Sequence, residues 1–237
     1  MIRTRFTFDA ADEFASTWSP DGKRLVFNSR RNGHLDLFQK ALTSAGTEEV
    51  LFADGLDKSP LSWSRDGRFI LYTAVGATTG SDLYVLPLSG DRKPITFVQT
   101  PFNEPFGQFS PDGKWIAYQS NEGGRGSEVY VAPFPGPGGK VQVSTMGGSF
   151  PRWRRDGKEI FYLSNNQLMA ASVEASADRF DIGAARPLFD VRNVAVGRRV
   201  PYDVAPDGAR FLFNLRTEEA ASEPFQLVVN WPATLKN

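Results

Sequence analysis

An Asp-Gly pair returns five times along this chain, at Asp21-Gly22, Asp66-Gly67, Asp112-Gly113, Asp156-Gly157 and Asp207-Gly208, with spacings of 45, 46, 44 and 51 residues. A period of about 40–50 residues belongs either to a β-propeller or to an array of helices. The side chains around each pair decide between the two. Three residues before each Asp stands a large apolar residue: Trp18, Trp63, Phe109, Trp153 or Val204. Six residues after it stands an aromatic one: Phe27, Tyr72, Tyr118, Tyr162 or Phe213. Four residues after it come Leu25, Ile70, Ile116, Ile160 and Phe211. Positions four and six share one strand face, because side chains alternate with period two. Asp-Gly between two such runs signals a tight hairpin. Ser19-Pro20 and Ser110-Pro111 prepare the turn, since Pro presets φ, Asp bonds nearby backbone and Gly accepts positive φ.

A third strand follows each hairpin, in Asp36-Leu37-Phe38, Asp82-Leu83-Tyr84, Glu128-Val129-Tyr130, Gln167-Leu168-Met169 and Phe225-Gln226-Leu227. A fourth reads Glu49-Val50-Leu51-Phe52, Pro94-Ile95-Thr96-Phe97, Val141-Gln142-Val143 and Arg186-Pro187-Leu188-Phe189. No segment carries a helical period. The expected fold is therefore all-β: a five-bladed β-propeller of four-stranded antiparallel blades, forming one domain over residues 1–237. The fifth repeat has three strands, and the N-terminal run Arg3-Thr4-Arg5-Phe6-Thr7-Phe8 supplies one more. That strand is expected to complete the last blade and hide both terminal edges. A rival reading gives it to an earlier blade of a longer parent protein.

Charge excludes some partners. Lys and Arg number 27 and so do Asp and Glu, so no net charge draws the chain to nucleic acid or an anionic membrane. No stretch approaches the roughly 18 apolar residues of a membrane span, and the start does not read as a signal peptide. Without cysteine there is no disulfide or thiol chemistry. The one histidine, His34, sits in the loop Arg30-Arg31-Asn32-Gly33-His34, so a multi-histidine metal site is ruled out. There is no nucleophile elbow, phosphate loop or kinase Gly-rich loop, and Gly123-Gly124-Arg125-Gly126 reads as a flexible connection. The Asp of each Asp-Gly pair serves its turn rather than calcium, which needs a denser set of oxygens. Neither catalysis, metal nor cofactor is expected.

Binding is expected on the rim opposite the hairpins, where rigid scaffolds display loops. That rim carries Arg30, Arg31 and His34, then Asp57 and Lys58, then Asn103, Glu104, Asn121, Glu122 and Arg125, with Arg192, Arg198 and Arg199 last. The channel side of the innermost strands carries Thr17, Ser62, Gln108, Arg152 and Asp203, with Ala15, Pro60, Phe106, Phe150 and Pro201 two residues earlier. Tyr202 lies beside them. Gln108, Arg152 and Asp203 could hold a polar ligand or a peptide end; alternatively Arg152 and Asp203 pair across adjacent blades. Phe102, Phe106 and Phe150 form an apolar anchor or part of the core.

The hairpin segments Trp18-Ser19-Pro20-Asp21-Gly22-Lys23, Trp63-Ser64-Arg65-Asp66-Gly67-Arg68 and Phe109-Ser110-Pro111-Asp112-Gly113-Lys114 resemble the WD-repeat-like blades of the TolB family. Trp153-Arg154-Arg155-Asp156-Gly157-Lys158 and Val204-Ala205-Pro206-Asp207-Gly208-Ala209 are similar, with Arg154-Arg155 and Ala205 departing from the Ser-Pro pattern. Glu128-Val129-Tyr130-Val131-Ala132-Pro133-Phe134-Pro135 and the ending Leu227-Val228-Val229-Asn230-Trp231 resemble the C-terminal propellers of bacterial receptor-type serine/threonine kinases. With no catalytic motif in the chain, the resemblance leaves a monomeric, non-catalytic scaffold for a protein or peptide partner or for ligand sensing as the leading expectation. It also allows an accessory propeller of a larger kinase or prolyl-oligopeptidase-like peptidase, which would place it outside the cytoplasm. A small propeller hydrolase or lactonase is the remaining alternative.

Overall fold

A computed structural model describes residues 5–43, 46–76, 79–136, 138–175, 179–195 and 200–216. Among them are nineteen β-strands and no helix. The first sheet runs β1 (Glu13–Trp18), β2 (Arg24–Ser29), β3 (Asp36–Ala41), β4 (Glu48–Phe52), in that order and antiparallel. The second repeats it with β5 (Asp57–Trp63), β6 (Phe69–Gly76), β7 (Gly80–Pro87) and β8 (Ile95–Val98). The third has β9 (Gly107–Phe109), β10 (Trp115–Ser120), β11 (Glu128–Pro133) and β12 (Val141–Gln142). The fourth has β13 (Ser149–Trp153), β14 (Glu159–Ser164), β15 (Gln167–Ala175), β16 (Phe180–Ile182) and β17 (Arg186–Asp190). Last comes the hairpin of β18 (Tyr202–Val204) and β19 (Phe211–Phe213). The first strand of each sheet lies against the first strand of the next, from β1 through β5, β9 and β13 to β18.

The turn chemistry is as the sequence predicts. The five glycines take φ between 67° and 78°, which a side chain would resist. The hydroxyls of Ser19, Ser64 and Ser110 donate to the Asp two residues on, at 2.5, 2.7 and 2.5 Å. The same oxygens accept the amides of Arg24, Phe69 and Trp115 at 2.9, 2.9 and 3.0 Å. The Ser19 hydroxyl and the Lys23 amide hold the Asp21 carboxyl below its usual range. Where serine is missing, the backbone bend survives: Gly157 donates to the Arg154 carbonyl and Gly208 to that of Ala205. Arg154 instead ion-pairs Glu159 at 2.8 Å and Asp156 at 2.9 Å.

The core lies in layers between sheets. Trp63, Ile70 and Tyr72 of the second sheet bury against Val26, Leu37 and Leu51 of the first. Phe109, Ile116 and Tyr118 of the third meet Leu71, Leu83 and Val85 of the second. Trp153, Ile160 and Tyr162 of the fourth meet Trp115, Ala117 and Val131 of the third. So the apolar signature around each hairpin faces the preceding blade. Each such side chain fully removed from water contributes about 1.5–3 kcal/mol. Trp18, whose sheet comes first, is 39% exposed.

Two strands depart from expectation. Residues 5–8 form no strand; the Phe6 carbonyl accepts from Lys40 Nζ at 2.6 Å and the Phe8 amide donates to Glu48. The Lys40 ammonium, 5.1 and 5.3 Å from the Phe6 and Phe8 ring centroids, holds this segment against the outer strands of the first sheet. The expected third strand of the fifth repeat, at Phe225-Gln226-Leu227, and residues 1–4 lie outside the described residues, and with them the expected closure. Second, the nine-residue β15 outruns β14 and pairs two strands in succession, β17 at its start and β16 at its end. This added strand lengthens the fourth spacing to 51, and its Phe180 packs 4.7 Å from Trp115.

Ser110→Ala tests the turn. It leaves the Trp115 amide without its acceptor, at a cost of about 1–3 kcal/mol. Thermal unfolding should show a midpoint lower by about 2–4 °C for each kcal/mol.

Candidate functional site

On the rim opposite the hairpins, a pocket of about 840 Å³ opens beside the first strands of the sheets. Its walls include Phe14, Leu56, Pro60, Val75, Phe106 and Arg152. His34 and Asp57 stand at its edge. Asp57 Oδ1 accepts the Leu35 amide at 2.9 Å and lies 3.7 Å from His34 Nδ1. Its Oδ2 pairs with Arg30 at 3.0 Å. Thus Arg30, His34 and Asp57 are brought together, as a half-exposed polar corner.

Other rim residues serve the fold. Arg31, expected on the exposed rim, is a structural hub: its guanidinium pairs with Glu13 and Glu48, each at 2.8 Å, and lies 4.3 Å from the Phe38 ring centroid. Lys58 is 1% exposed. Its ammonium pairs with Asp36 at 3.3 Å and with Asp54, and donates to the Leu56 carbonyl. Glu104 is fully buried, and its Oε1 accepts from Thr100 at 2.8 Å and Ser120 at 2.9 Å. Asn103 caps the Ser81 amide, Glu122 pairs with Lys140, and Arg125 is exposed away from the pocket. Arg198 and Arg199 lie outside the described residues, whereas Arg192 is exposed.

The channel residues also divide. Phe106 and Phe150 are buried with ring centroids 4.7 Å apart, so they belong to the core, with Phe106 also lining the pocket. The Tyr202 hydroxyl donates to the Phe150 carbonyl at 2.9 Å, and burial pushes its titration upward. Gln108 does not reach for a ligand: its Oε1 accepts the Trp153 amide at 2.7 Å, one blade on. Ser62 does the same for Phe109 at 3.3 Å. Arg152 and Asp203 form no pair; Asp203 Oδ1 accepts its neighbour Val204 at 2.9 Å, and Arg152 Nε is buried without a partner.

Sequence reasoning missed Phe14, Leu56 and Val75. The available signal was an apolar residue inside the polar connection Gly55-Leu56-Asp57. A second cavity of about 1010 Å³ on the hairpin rim is lined by mixed charges, among them Arg65, Asp112, Asp156, Lys158 and Arg179. Among the described residues no group of three or more His, Cys, Asp or Glu side chains could hold a metal ion, and no helix is long and apolar enough to cross a membrane.

No family model matches the chain, and no curated protein matches its sequence. Solved structures do. TolB from Acinetobacter baumannii aligns with a TM-score of 0.58 at 24% identity, over 73% of this chain and 43% of its own. A TolB from Agrobacterium tumefaciens aligns at 0.59 and 18% identity, over 74% and 64%. The fold is a TolB-like β-propeller. An oligogalacturonate lyase solved in complex with manganese aligns at 0.59 and 13% identity, over 85% and 58%. The TolB-like chain spans under two thirds of each of these proteins.

Within this propeller, Lys58 and Glu104 hold equivalent places. The amide of Lys58 donates to the Leu35 carbonyl, and that of Glu104 to the Ser81 carbonyl, at 2.8 and 2.7 Å. Each place faces the acid next in sequence, Asp36 or Asp82. The first junction is an ion pair; the second sets two buried carboxylates together, leaving Asp82 Oδ1 and Glu104 Oε2 without partners. Burial raises the Glu104 carboxyl above its usual range, the Thr100 and Ser120 hydroxyls oppose the rise, and the Asp82 charge adds to it. A carboxyl raised in the folded state stabilises fully below its unfolded value of about 4.5, and that contribution is lost as pH climbs through the folded value. Glu104→Gln, whose amide can donate to Asp82, should therefore melt higher than wild type near neutral pH. The gap should close toward about pH 4.5 in melting curves taken across pH.

Proposed function

We propose that this chain is a non-catalytic scaffold that binds a protein or peptide segment, as a monomer, at the channel mouth. One observation carries the reading. Phe14, Leu56 and Val75, 42%, 36% and 50% exposed, come from three separate segments and converge on one pocket. Single exposed apolar residues are ordinary, but apolar side chains gathered in a concavity mark a binding site. At about 840 Å³ the pocket falls within the range that small ligands and peptide side chains fill.

Chemistry at the edge supports a peptide. Arg30, His34 and Asp57 offer donors and acceptors beside the apolar walls, the arrangement of an interface with a dry centre and a polar rim. Phe14, Pro60 and Val75 stand on β1, β5 and β6 and Leu56 directly precedes β5, so little ordering is needed on binding. Use as the sensor module of a larger protein would engage the same pocket.

Panning the chain against a displayed peptide library should return apolar sequences. Leu56→Glu and Val75→Glu should each weaken the selected peptides about tenfold, with unchanged melting. Undiminished binding by both variants would overturn the reading.

A further inference from the structure

We infer that the channel pocket takes a ligand bearing a carboxylate, with Arg152 as its anchor. The inference rests on the channel-mouth reading for the place of binding and adds the chemistry of the ligand. It begins from the blade repeat. Four residues before the Asp-Gly pair, the second and third blades carry Ser62 and Gln108. Each accepts the first-strand amide of the following blade, Phe109 for Ser62 and Trp153 for Gln108. The position asks for an acceptor. In the fourth blade it holds Arg152, whose guanidinium can only donate. The Val204 amide it would have served bonds to Asp203 instead.

Arg152 thus stands apart from the stitch that Ser62 and Gln108 make. Among the described residues no carboxylate pairs with it, and its buried Nε has no hydrogen-bond partner. A guanidinium nitrogen buried this way beside apolar walls is costly unless something answers it. The side chain lines the same pocket as Pro60, Leu61, Phe106 and Val200. The backbone beside it is also unusual. The register slips between Ser149 and Arg152, as it does in the first strands of the first two sheets, but here Phe150, not a glycine, sits at φ 57°. The Tyr202 hydroxyl and Gln119 Oε1 hold that turn by bonds of 2.9 and 3.1 Å to the Phe150 carbonyl and amide. Strain of this kind persists where the surroundings fix it, and it recurs at ligand sites.

A carboxylate matches what is missing. It accepts two hydrogen bonds from one guanidinium edge and neutralises its charge. An apolar group beside that carboxylate would rest on Pro60, Leu61 and Phe106. Two sources carry this chemistry: the C-terminus of a peptide, and a small aromatic or aliphatic acid.

Three probes separate them: an acetylated tetrapeptide ending in phenylalanine as the free acid, the same peptide as its carboxamide, and phenylacetate. Each is titrated while the Arg152 Nε–H resonance is followed by ¹⁵N-edited NMR. The free acid or phenylacetate should move that resonance saturably, and the carboxamide should not. Arg152→Gln should weaken the responding acid about tenfold or more, read by calorimetry. The same variant restores an acceptor like Gln108 and should melt at or above wild type, so lost binding cannot be laid to unfolding. Equal binding of acid and carboxamide would end the carboxylate inference and leave peptide docking standing. Phenylacetate binding with neither peptide bound would keep Arg152 as an acid anchor and end peptide docking. A resonance unmoved by all three would overturn the anchor.

Discussion

The innermost strand of every blade is an edge, and about half of its amides point away from its own sheet. The rest of the structure depends on answering them. Acceptors come from the blade before. Ser62 and Gln108 supply side-chain oxygens, Gln119 caps Phe150, and the carbonyls of Leu35, Ser81 and Ser127 take the amides of Lys58, Glu104 and Gly148. These bonds fix the angle at which neighbouring sheets meet. The apolar layers can then close, with Trp63, Phe109 and Trp153 each seated on the preceding blade. Ser19, Ser64 and Ser110 do the same work within a hairpin, tying the turn to the start of its second strand.

Much of this was legible in the chain. An aromatic six residues past each Asp-Gly pair has to be a strand-face residue, and Phe27, Tyr72 and Tyr118 sit directly opposite Phe38, Tyr84 and Tyr130 on the next strand. Their rings lie 6.0, 5.6 and 5.8 Å apart. Local pattern could not reveal β16, because Phe180-Asp181-Ile182 is too short to show a period. Nor could it place Phe6 and Phe8, which read as alternating strand but answer a single lysine, Lys40, more than thirty residues further along the chain.

The site was legible in outline only. A solvated loop residue and a charged group held by the fold look alike in a sequence; Lys58 and Glu104 proved to be buried, and Arg31 partly buried among its ion pairs. What separates them is the partner on another strand, and no local pattern names it. Arg152 was visible as a channel residue, but its meaning was not. It emerges only when Ser62 and Gln108 are seen making the bond that an arginine cannot make. The apolar walls Phe14, Leu56 and Val75 carry no common spacing, so only the fold could assemble them.

One feature of the blade junctions reaches beyond binding. Lys58 faces Asp36, Glu104 faces Asp82, and the matching place in the fourth blade is Gly148, where any side chain would strike the Ser144 hydroxyl. The seams are built to one plan, yet each has its own lock of opposite charge, like charge or no side chain at all. Blades with nearly identical hairpins therefore cannot trade neighbours without burying a mismatched ion or forcing an atomic clash. In a chain made of near-copies, this is what keeps one repeat from docking where another belongs, and it gives the order of the blades a chemical basis apart from the connections that join them.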